Sequence, residues 1–368
     1  MRIVLLADPL DNQLAGIHHY TKSLVSHLAG ADTVNEYFII RRKKDTIFPA
    51  GRQIIIKNYR IPGYAALRMF LLIPRAIRKL KADVAVEPAH FGPFNLPRRI
   101  RRVTVIHDLT PVLFPEMHRF HSQVLQRIFL KRILRRASLI ITNSLSTSRD
   151  LHAYLPEAIS KTECIYLGGD EGIRYTESKQ FVEGLTRGKP YFFTAGTIEP
   201  RKNLEGLLRA FEIYKRMEGS HDTMLMISGQ RGWKNSGFFR LLENHPYRHD
   251  IVLSGYVSRP QLAELYSHAL AFVFPSLYEG FGLPVAEAMS CGTPCLLSAR
   301  SSLPEVGGEA ALYFDPFMPG EMAEAMHRIS SRPELREQLS GKALRQAAKF
   351  SWKEHVVAFD KAIGKLEK

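Results

Sequence analysis

Residues Ala271–Cys295 read AFVFPSLYEGFGLPVAEAMSCGTPC. The opening AFVF is a short apolar run, which predicts a strand buried on both faces. Pro284 has the fixed backbone angle and missing N–H that suit a helix's first turn, and Gly292 supplies a C-terminal stop, so a helix is predicted from Pro284 to Ser290. Glu279 then falls in the loop and Glu287 on the helix. Gly280 and Gly282 let the backbone approach a ligand closely, and the N–H groups that open the helix make a ready site for a diphosphate. Two carboxylates at these positions would hold two hydroxylated ends of one ligand. Taken singly, each glutamate is an ordinary solvated carboxylate. The constellation is what points to a site.

This strand, loop, helix unit recurs along the chain. In the first half, a strand at Ile3 to Ala7, a loop at Asp8 to Ile17 and a helix at Tyr20 to Leu28 are followed by β-rich runs at Tyr37–Ile40, Ile54–Ile56, Val84–Val86, Val103–Ile106 and Leu139–Thr142. The second half has such runs at Tyr191–Ala195, Met224–Ser228, Ile251–Leu253, Ala271–Phe274 and Pro294–Leu297, with helices near Leu204–Tyr214, Gln261–His268 and Pro284–Ser290. Strands alternating with helices predict parallel sheets covered on both faces. The 368 residues exceed what one hydrophobic core usually organises. The polar stretch Gly168–Lys189 reads as a linker. The expected fold is therefore α/β, with two Rossmann-like doubly wound domains, 1–170 and 171–350, facing a central cleft. A last helix, Trp352–Leu366 within 351–368, is expected to cross back to the first domain.

Lys and Arg outnumber Asp and Glu 26 to 13 over residues 1–170, but only 25 to 23 over the remainder. The bases cluster at Arg41–Lys44, Arg68–Lys81, Arg98–Arg102 and Arg127–Arg136. RMFLLIPRAIRKLK and QRIFLKRILRRA alternate bases with large apolar residues, a pattern suited either to an anionic membrane surface or to helices covering a sheet. No apolar run approaches the roughly 20 residues of a spanning helix. Cys164, Cys291 and Cys295 cannot all pair, and they lack the companion ligands of a zinc site. A cytoplasmic protein, at most peripheral at the inner face of the membrane, is expected.

A second motif, GTIEPRKNLEGLLRAF, spans Gly196–Phe211 directly after the strand Tyr191–Ala195. Arg201 and Lys202 precede an amphipathic helix for which Asn203 is the expected cap. Two cations there would neutralise charge growing on a departing diphosphate. VIHDLTPVLFPE places His107 and Asp108 at a strand's carboxyl end, where open α/β sheets bind ligands. LSGYV brings Tyr256 and Val257 to another strand end, and SSLPEVGG (301–308) follows a further one. The adjacent pair His18 and His19, lacking carboxylate companions, reads as solvent-facing or hydrogen-bonded.

The two motifs together resemble glycosyltransferase family 4, retaining enzymes of the GT-B fold, over most of the chain. The resemblance implies that Glu279 contacts donor-sugar hydroxyls, that Gly282 and Leu283 offer N–H groups to phosphate and sugar, and that Glu287 binds the nucleotide's ribose. Gly280 and Phe281 belong to the same donor loop. Lys202 falls on the family's lysine, whereas Thr197 stands where many members have an arginine. Arg201 is assigned that arginine's role, with Thr197 and Asn203 beside the donor. A family histidine that reaches the reacting sugar corresponds to His107, with Asp108 as its orienting partner. Gly16 corresponds to the family's N-terminal glycine turn, with Ala15 replacing the second glycine. Tyr256 and Val257 correspond to a loop against the nucleotide base.

EPRKN together with HDLTPVLFPE looks most like bacterial mannosyltransferases that build surface polysaccharides such as lipopolysaccharide. The expectation is a retaining, metal-independent transfer of mannose from GDP-mannose, with no cofactor, to a glycan or lipid-diphosphate-linked acceptor. A UDP-sugar donor shares the same signature. The rivals are a GT-B epimerase or phosphorylase, whose histidine and carboxylate set is not evident, and a basic protein binding a membrane surface or nucleic acid. The basic segments carry no base-reading module, so specific nucleic-acid binding is not expected.

Overall fold

A computed structural model describes residues 1–367 apart from 13–14, 90–91, 94, 115–128 and 219–221. The end of HDLTPVLFPE and the start of the basic run at Arg127 lie outside the described residues. The chain divides into two units, Met1–Gly168 with Ser351–Lys368, and Gly169–Phe350.

In the first unit, the described strands are β1 Arg2–Leu6, β2 Glu36–Arg41, β3 Gln53–Ile55, β4 Val84–Glu87, β5 Arg101–Ile106, β6 Leu139–Thr142 and β7 Thr162–Cys164, in the order β3-β2-β1-β4-β5-β6-β7. The second unit orders β8 Tyr191–Ala195, β9 Met224–Ser228, β10 Ile251–Gly255, β11 Ala271–Phe274, β12 Cys295–Ser298 and β13 Ala311–Phe314 as β10-β9-β8-β11-β12-β13. Every described pairing is parallel. In both sheets the strand order reverses once, between β1 and β4 and between β8 and β11, and ligands of doubly wound sheets bind outside the strand carboxyl ends at that reversal. Central strands such as β4 and β11 are buried at every position, as a sheet covered on both faces requires.

The expected elements recur with shifted ends, and three readings are corrected. The loop expected over Asp8–Ile17 contains the helix Pro9–Asn12 and the start of the helix Ala15–Gly30, so Gly16 sits in a helix's first turn. A Cβ on Gly16 would meet nothing within 4 Å, so local packing does not demand glycine there. The expected linker holds the helix Gln180–Thr186 and docks on its own unit, because Glu264 accepts from Ser178 Oγ at 2.8 Å and Phe181 N at 2.9 Å. The three-residue β7, Thr-Glu-Cys, carries too little apolar pattern to register in the sequence, whereas the apolar β13, Ala-Leu-Tyr-Phe, is a strand the sequence reading missed. The helix Trp352–Gly364 belongs to the first unit, with Trp352, Val356, Phe359 and Ile363 buried.

Several bases of the clusters in the first half are buried in ion pairs. Arg41 meets Asp11 at 2.8 Å and also Asp45, Arg68 pairs with Asp8, and Arg102 pairs with Glu87. A buried guanidinium needs such a carboxylate to offset its desolvation.

Candidate active site

The two donor motifs follow β8 and β11, the neighbours at which the second sheet reverses. After β8 the chain turns at Gly196, with φ +144, and makes a 3-10 turn at Pro200–Lys202. After β11 it runs through Ser276–Gly282 into the helix Leu283–Ser290. The loops are joined by backbone, since Leu277 N donates to Arg201 O at 2.8 Å.

Their side chains converge on Glu279, which is 8% exposed. Lys202 Nζ lies 2.5 Å from Oε1, Arg201 Nη1 lies 2.7 Å from Oε2, and Ser276 Oγ donates to Oε1 at 2.6 Å. Burial alone would raise this carboxyl's pKa, but Arg201 and Lys202 outweigh it and hold the group down at about 2. Burial pushes the Lys202 ammonium below the ordinary lysine range, and Glu279 opposes that shift. The Lys202 ammonium also stands 4.5 Å from the centre of the Phe274 ring. The anion and cation expected at the heart of a donor site are thus in direct contact.

Arg201 is less available than the sequence suggested. Nε and Nη2 donate to Glu199 Oε1 at 3.1 and 2.7 Å, and Nη1 donates to Tyr278 O at 2.8 Å. Its guanidinium braces the Glu279 loop while contributing positive charge. Asn203 does not cap the following helix through its side chain. It adopts a left-handed conformation, φ 52, which asparagine tolerates, and its amide donates to Pro316 O at 2.7 Å. Thr197 is half-buried after β8. Phe281 is buried with its ring 5.3 Å from that of Phe350, so its side chain is structural.

Gly282 has φ +103, which favours glycine, and caps the helix that carries Leu283 at its start and Glu287 on its second turn. Tyr266 OH donates to Glu287 Oε2 at 3.0 Å. Tyr256 is 78% exposed just beyond β10, whereas Val257 is buried. Four supports escaped the sequence reading. Ser301 Oγ accepts from Glu279 N at 2.8 Å, and Ser302 Oγ donates to the carbonyls of Glu279 and Phe281 at 3.0 and 2.8 Å. Glu199 and Tyr266 complete the set. The serine pair opening SSLPEVGG was the available signal.

In the first unit, His107 follows β5. Its Nε2–H donates to Pro88 O at 2.8 Å, and its ring stands edge-on to Tyr20 at 4.7 Å. Burial lowers its pKa. Pro88 and Tyr20 orient the imidazole, whereas Asp108 Oδ1 accepts from Thr110 N and Oγ1 at 2.9 and 2.5 Å. His18 Nδ1–H donates to Pro9 O at 3.1 Å, a structural role.

Burial raises Glu287 to about 7. A carboxyl whose folded pKa exceeds its unfolded value favours folding fully below about 4.5 and loses that advantage as pH rises through about 7. At about 1.4 kcal/mol per unit, this amounts to about 3 kcal/mol. Glu287→Gln should match the wild type near pH 4 and exceed its unfolding free energy by about that amount near pH 8, as read by urea titration of unliganded protein. Equal pH dependence in both proteins would remove the assignment.

Fold and loops together define a GT-B glycosyltransferase. Sucrose-phosphate synthase from Thermosynechococcus elongatus superposes with a TM-score of 0.77 at 20% identity, covering 100% of this chain and 99% of that one. WaaG, a glycosyltransferase involved in lipopolysaccharide biosynthesis, superposes with a TM-score of 0.70 at 15% identity and 98% coverage of both chains. Residues 15–171 match Glycosyltransferase Family 4, and residues 176–346 match Glycosyl transferases group 1. O-antigen chain mannosyltransferase B of Escherichia coli is 31% identical over 401 residues, 96% of this chain and 96% of that protein. The chain belongs to this glycosyltransferase family.

Proposed function

We propose that the protein is a retaining, metal-independent mannosyltransferase that uses GDP-mannose to extend a glycan or lipid-linked acceptor in bacterial surface-polysaccharide synthesis. The observation that carries the reading is the Lys202–Glu279–Arg201 cluster at the reversal of the second sheet. The likeness to an O-antigen mannosyltransferase supplies the sugar. On binding, donor-sugar hydroxyls take Glu279, and the diphosphate takes the Lys202 ammonium that Glu279 neutralises in the unliganded chain. Charge growing on the leaving diphosphate then meets Lys202, the positive field of Arg201 and the amides near Gly282 and Leu283, while Glu287 accepts from ribose hydroxyls. The acceptor attacks on the face the diphosphate leaves, and a diphosphate oxygen takes the acceptor hydroxyl's proton.

The reading extends to a membrane surface. Tyr59, Ile61, Leu67, Phe70 and Leu71 are exposed in one stretch of the first unit, among exposed Lys57, Arg60, Arg75, Arg78, Lys79 and Lys81. Exposed apolar groups interspersed along the chain with cations suit an anionic lipid surface. Among the described residues no helix is long and apolar enough to cross a membrane.

A thermal-shift series with GDP, GDP-mannose, UDP and UDP-hexoses, each with and without EDTA, tests the donor. A ligand at 100 times its Kd adds about 2.7 kcal/mol to the folded state, or about 5–10 °C for a unit of this size. The GDP compounds should give that shift with EDTA present. A response confined to UDP compounds replaces the donor, EDTA-sensitive binding removes metal independence, and no response rejects the nucleotide-sugar reading.

A further inference from the structure

The charges of the unliganded donor loops cancel. Arg201 and Lys202 both meet Glu279, and Arg201 also meets Glu199, so two cations face two buried carboxylates. A nucleotide-sugar donor brings negative charge on both phosphates, and its nucleoside diphosphate leaves with a further charge. Anions taken into such a site need cationic partners beyond a set already neutralised from within. The amides that open the helix Leu283–Ser290 supply only partial charge.

Arg300 is a cation that this cluster does not engage. It follows β12, is exposed, and forms no ion pair with a carboxylate among the described residues. Two tethers place it beside the donor loops. Ser301, the next residue, takes φ 51, a left-handed angle uncommon outside glycine, and its Oγ accepts from Glu279 N at 2.8 Å. The guanidinium carbon of Arg300 lies 5.3 Å from the centre of the Phe317 ring. Phe317 follows Pro316, whose carbonyl accepts from Asn203 Nδ2 at 2.7 Å, and Asn203 follows Lys202. Asp315 Oδ1 accepts from Phe317 N at 3.0 Å, which fixes the turn that carries the ring. A guanidinium held against a ring rather than by a carboxylate keeps its charge and its donors available to a phosphate.

We infer that Arg300 is a third cation of the donor site, contacting the sugar-side phosphate of the nucleotide-sugar diphosphate, with Phe317 as its positioning residue. The inference rests on the nucleotide-sugar reading and adds a residue to it. The sugar-side phosphate is assigned because Ser301 ties Arg300 to the loop of Glu279, the residue that takes the sugar this phosphate carries. Arg300 has no carboxylate to give up when the donor arrives, and so it supplies the net charge that Lys202 and Arg201 do not.

The test is isothermal calorimetry of GDP, GMP, UDP, UMP and inorganic pyrophosphate with the full chain in EDTA, for wild type, Arg300→Ala, Arg300→Lys and Phe317→Ala. Arg300 and Phe317 are both exposed, so none of these substitutions empties the core. Arg300→Ala should weaken pyrophosphate and the bound nucleoside diphosphate by about ten- to a hundredfold, and leave the matching monophosphate within about twofold. Arg300→Lys should recover part of that loss, because the charge remains. Phe317→Ala should weaken the diphosphate by about two- to fivefold, the worth of an exposed cation–ring contact. Equal diphosphate affinity in wild type and Arg300→Ala, or an equal loss for diphosphate and monophosphate, overturns the contact. Absence of nucleotide binding in the wild type rejects the donor reading, and pyrophosphate then decides Arg300. A loss of pyrophosphate affinity in Arg300→Ala keeps the contact, whereas equal binding in the two proteins, or none in the wild type, overturns it.

Discussion

Lys202→Ala is expected to lower kcat for sugar transfer by about 10²–10³-fold, the loss seen when one electrostatic group aimed at developing charge is removed. Its ammonium is buried and reaches Glu279 at 2.5 Å, so water cannot substitute for it cheaply. Stability should fall less than activity, because Glu279 keeps Arg201 and Ser276. Glu279→Ala should match the loss in turnover and also destabilise the second unit by about 3–5 kcal/mol, since Lys202 and Arg201 would remain without this carboxylate. The pH dependence has a definite sign. With a folded pKa of about 2, below its unfolded value, Glu279 stabilises the chain above about pH 4.5, and that contribution is lost as pH falls toward 2. Glu279→Ala should therefore flatten the acid limb of stability. Nucleoside diphosphate release and urea unfolding read both effects, and near wild-type turnover in both variants would sink the assignment.

Gly229→Ala should reduce kcat/KM by about a hundredfold while the protein remains folded. Gly229 has φ +152, and a Cβ there would lie 1.9 Å from the carbonyl oxygen of Gly196, which starts the loop leading to Lys202. That oxygen must move by more than an ångström, and a displacement of that size at a catalytic loop costs about 10²-fold. Gly184→Ala is the matched control. Its Cβ would meet nothing within 4 Å on the helix Gln180–Thr186, so its activity should be unchanged and its stability equal or raised by about 0.5–1 kcal/mol. Equal activity in Gly229→Ala and the control would show that the close approach of the two loops does not position Lys202.

The doubly wound fold was legible because its central strands are buried on both faces and so appear as short apolar runs between helical periods. Lys202 and Glu279 were legible because loops that follow such strands display glycines and charges in compact order. The burial of Arg41, Arg68 and Arg102 was not legible, since partners such as Asp8 and Asp11 lie tens of residues from the guanidinium groups they neutralise. Asn203 misled for a different reason. A cap and a left-handed turn recruit the same residue type, and only the backbone angle separates them. SSLPEVGG was legible as a loop resembling the family's loop near the nucleotide, but the support that Ser301 and Ser302 give was not, because their partners are backbone groups of the Glu279 loop.

The most direct test of the central claim is nucleoside diphosphate release from GDP-mannose by the purified chain with a mannosylated acceptor, in EDTA. Wild type and Lys202→Ala are compared, and the anomeric configuration of the product is read by NMR. GDP release coupled to an α-linked product is expected in the wild type, reduced by at least about a hundredfold in Lys202→Ala. An inverted linkage, or equal release by the two proteins, would contradict it.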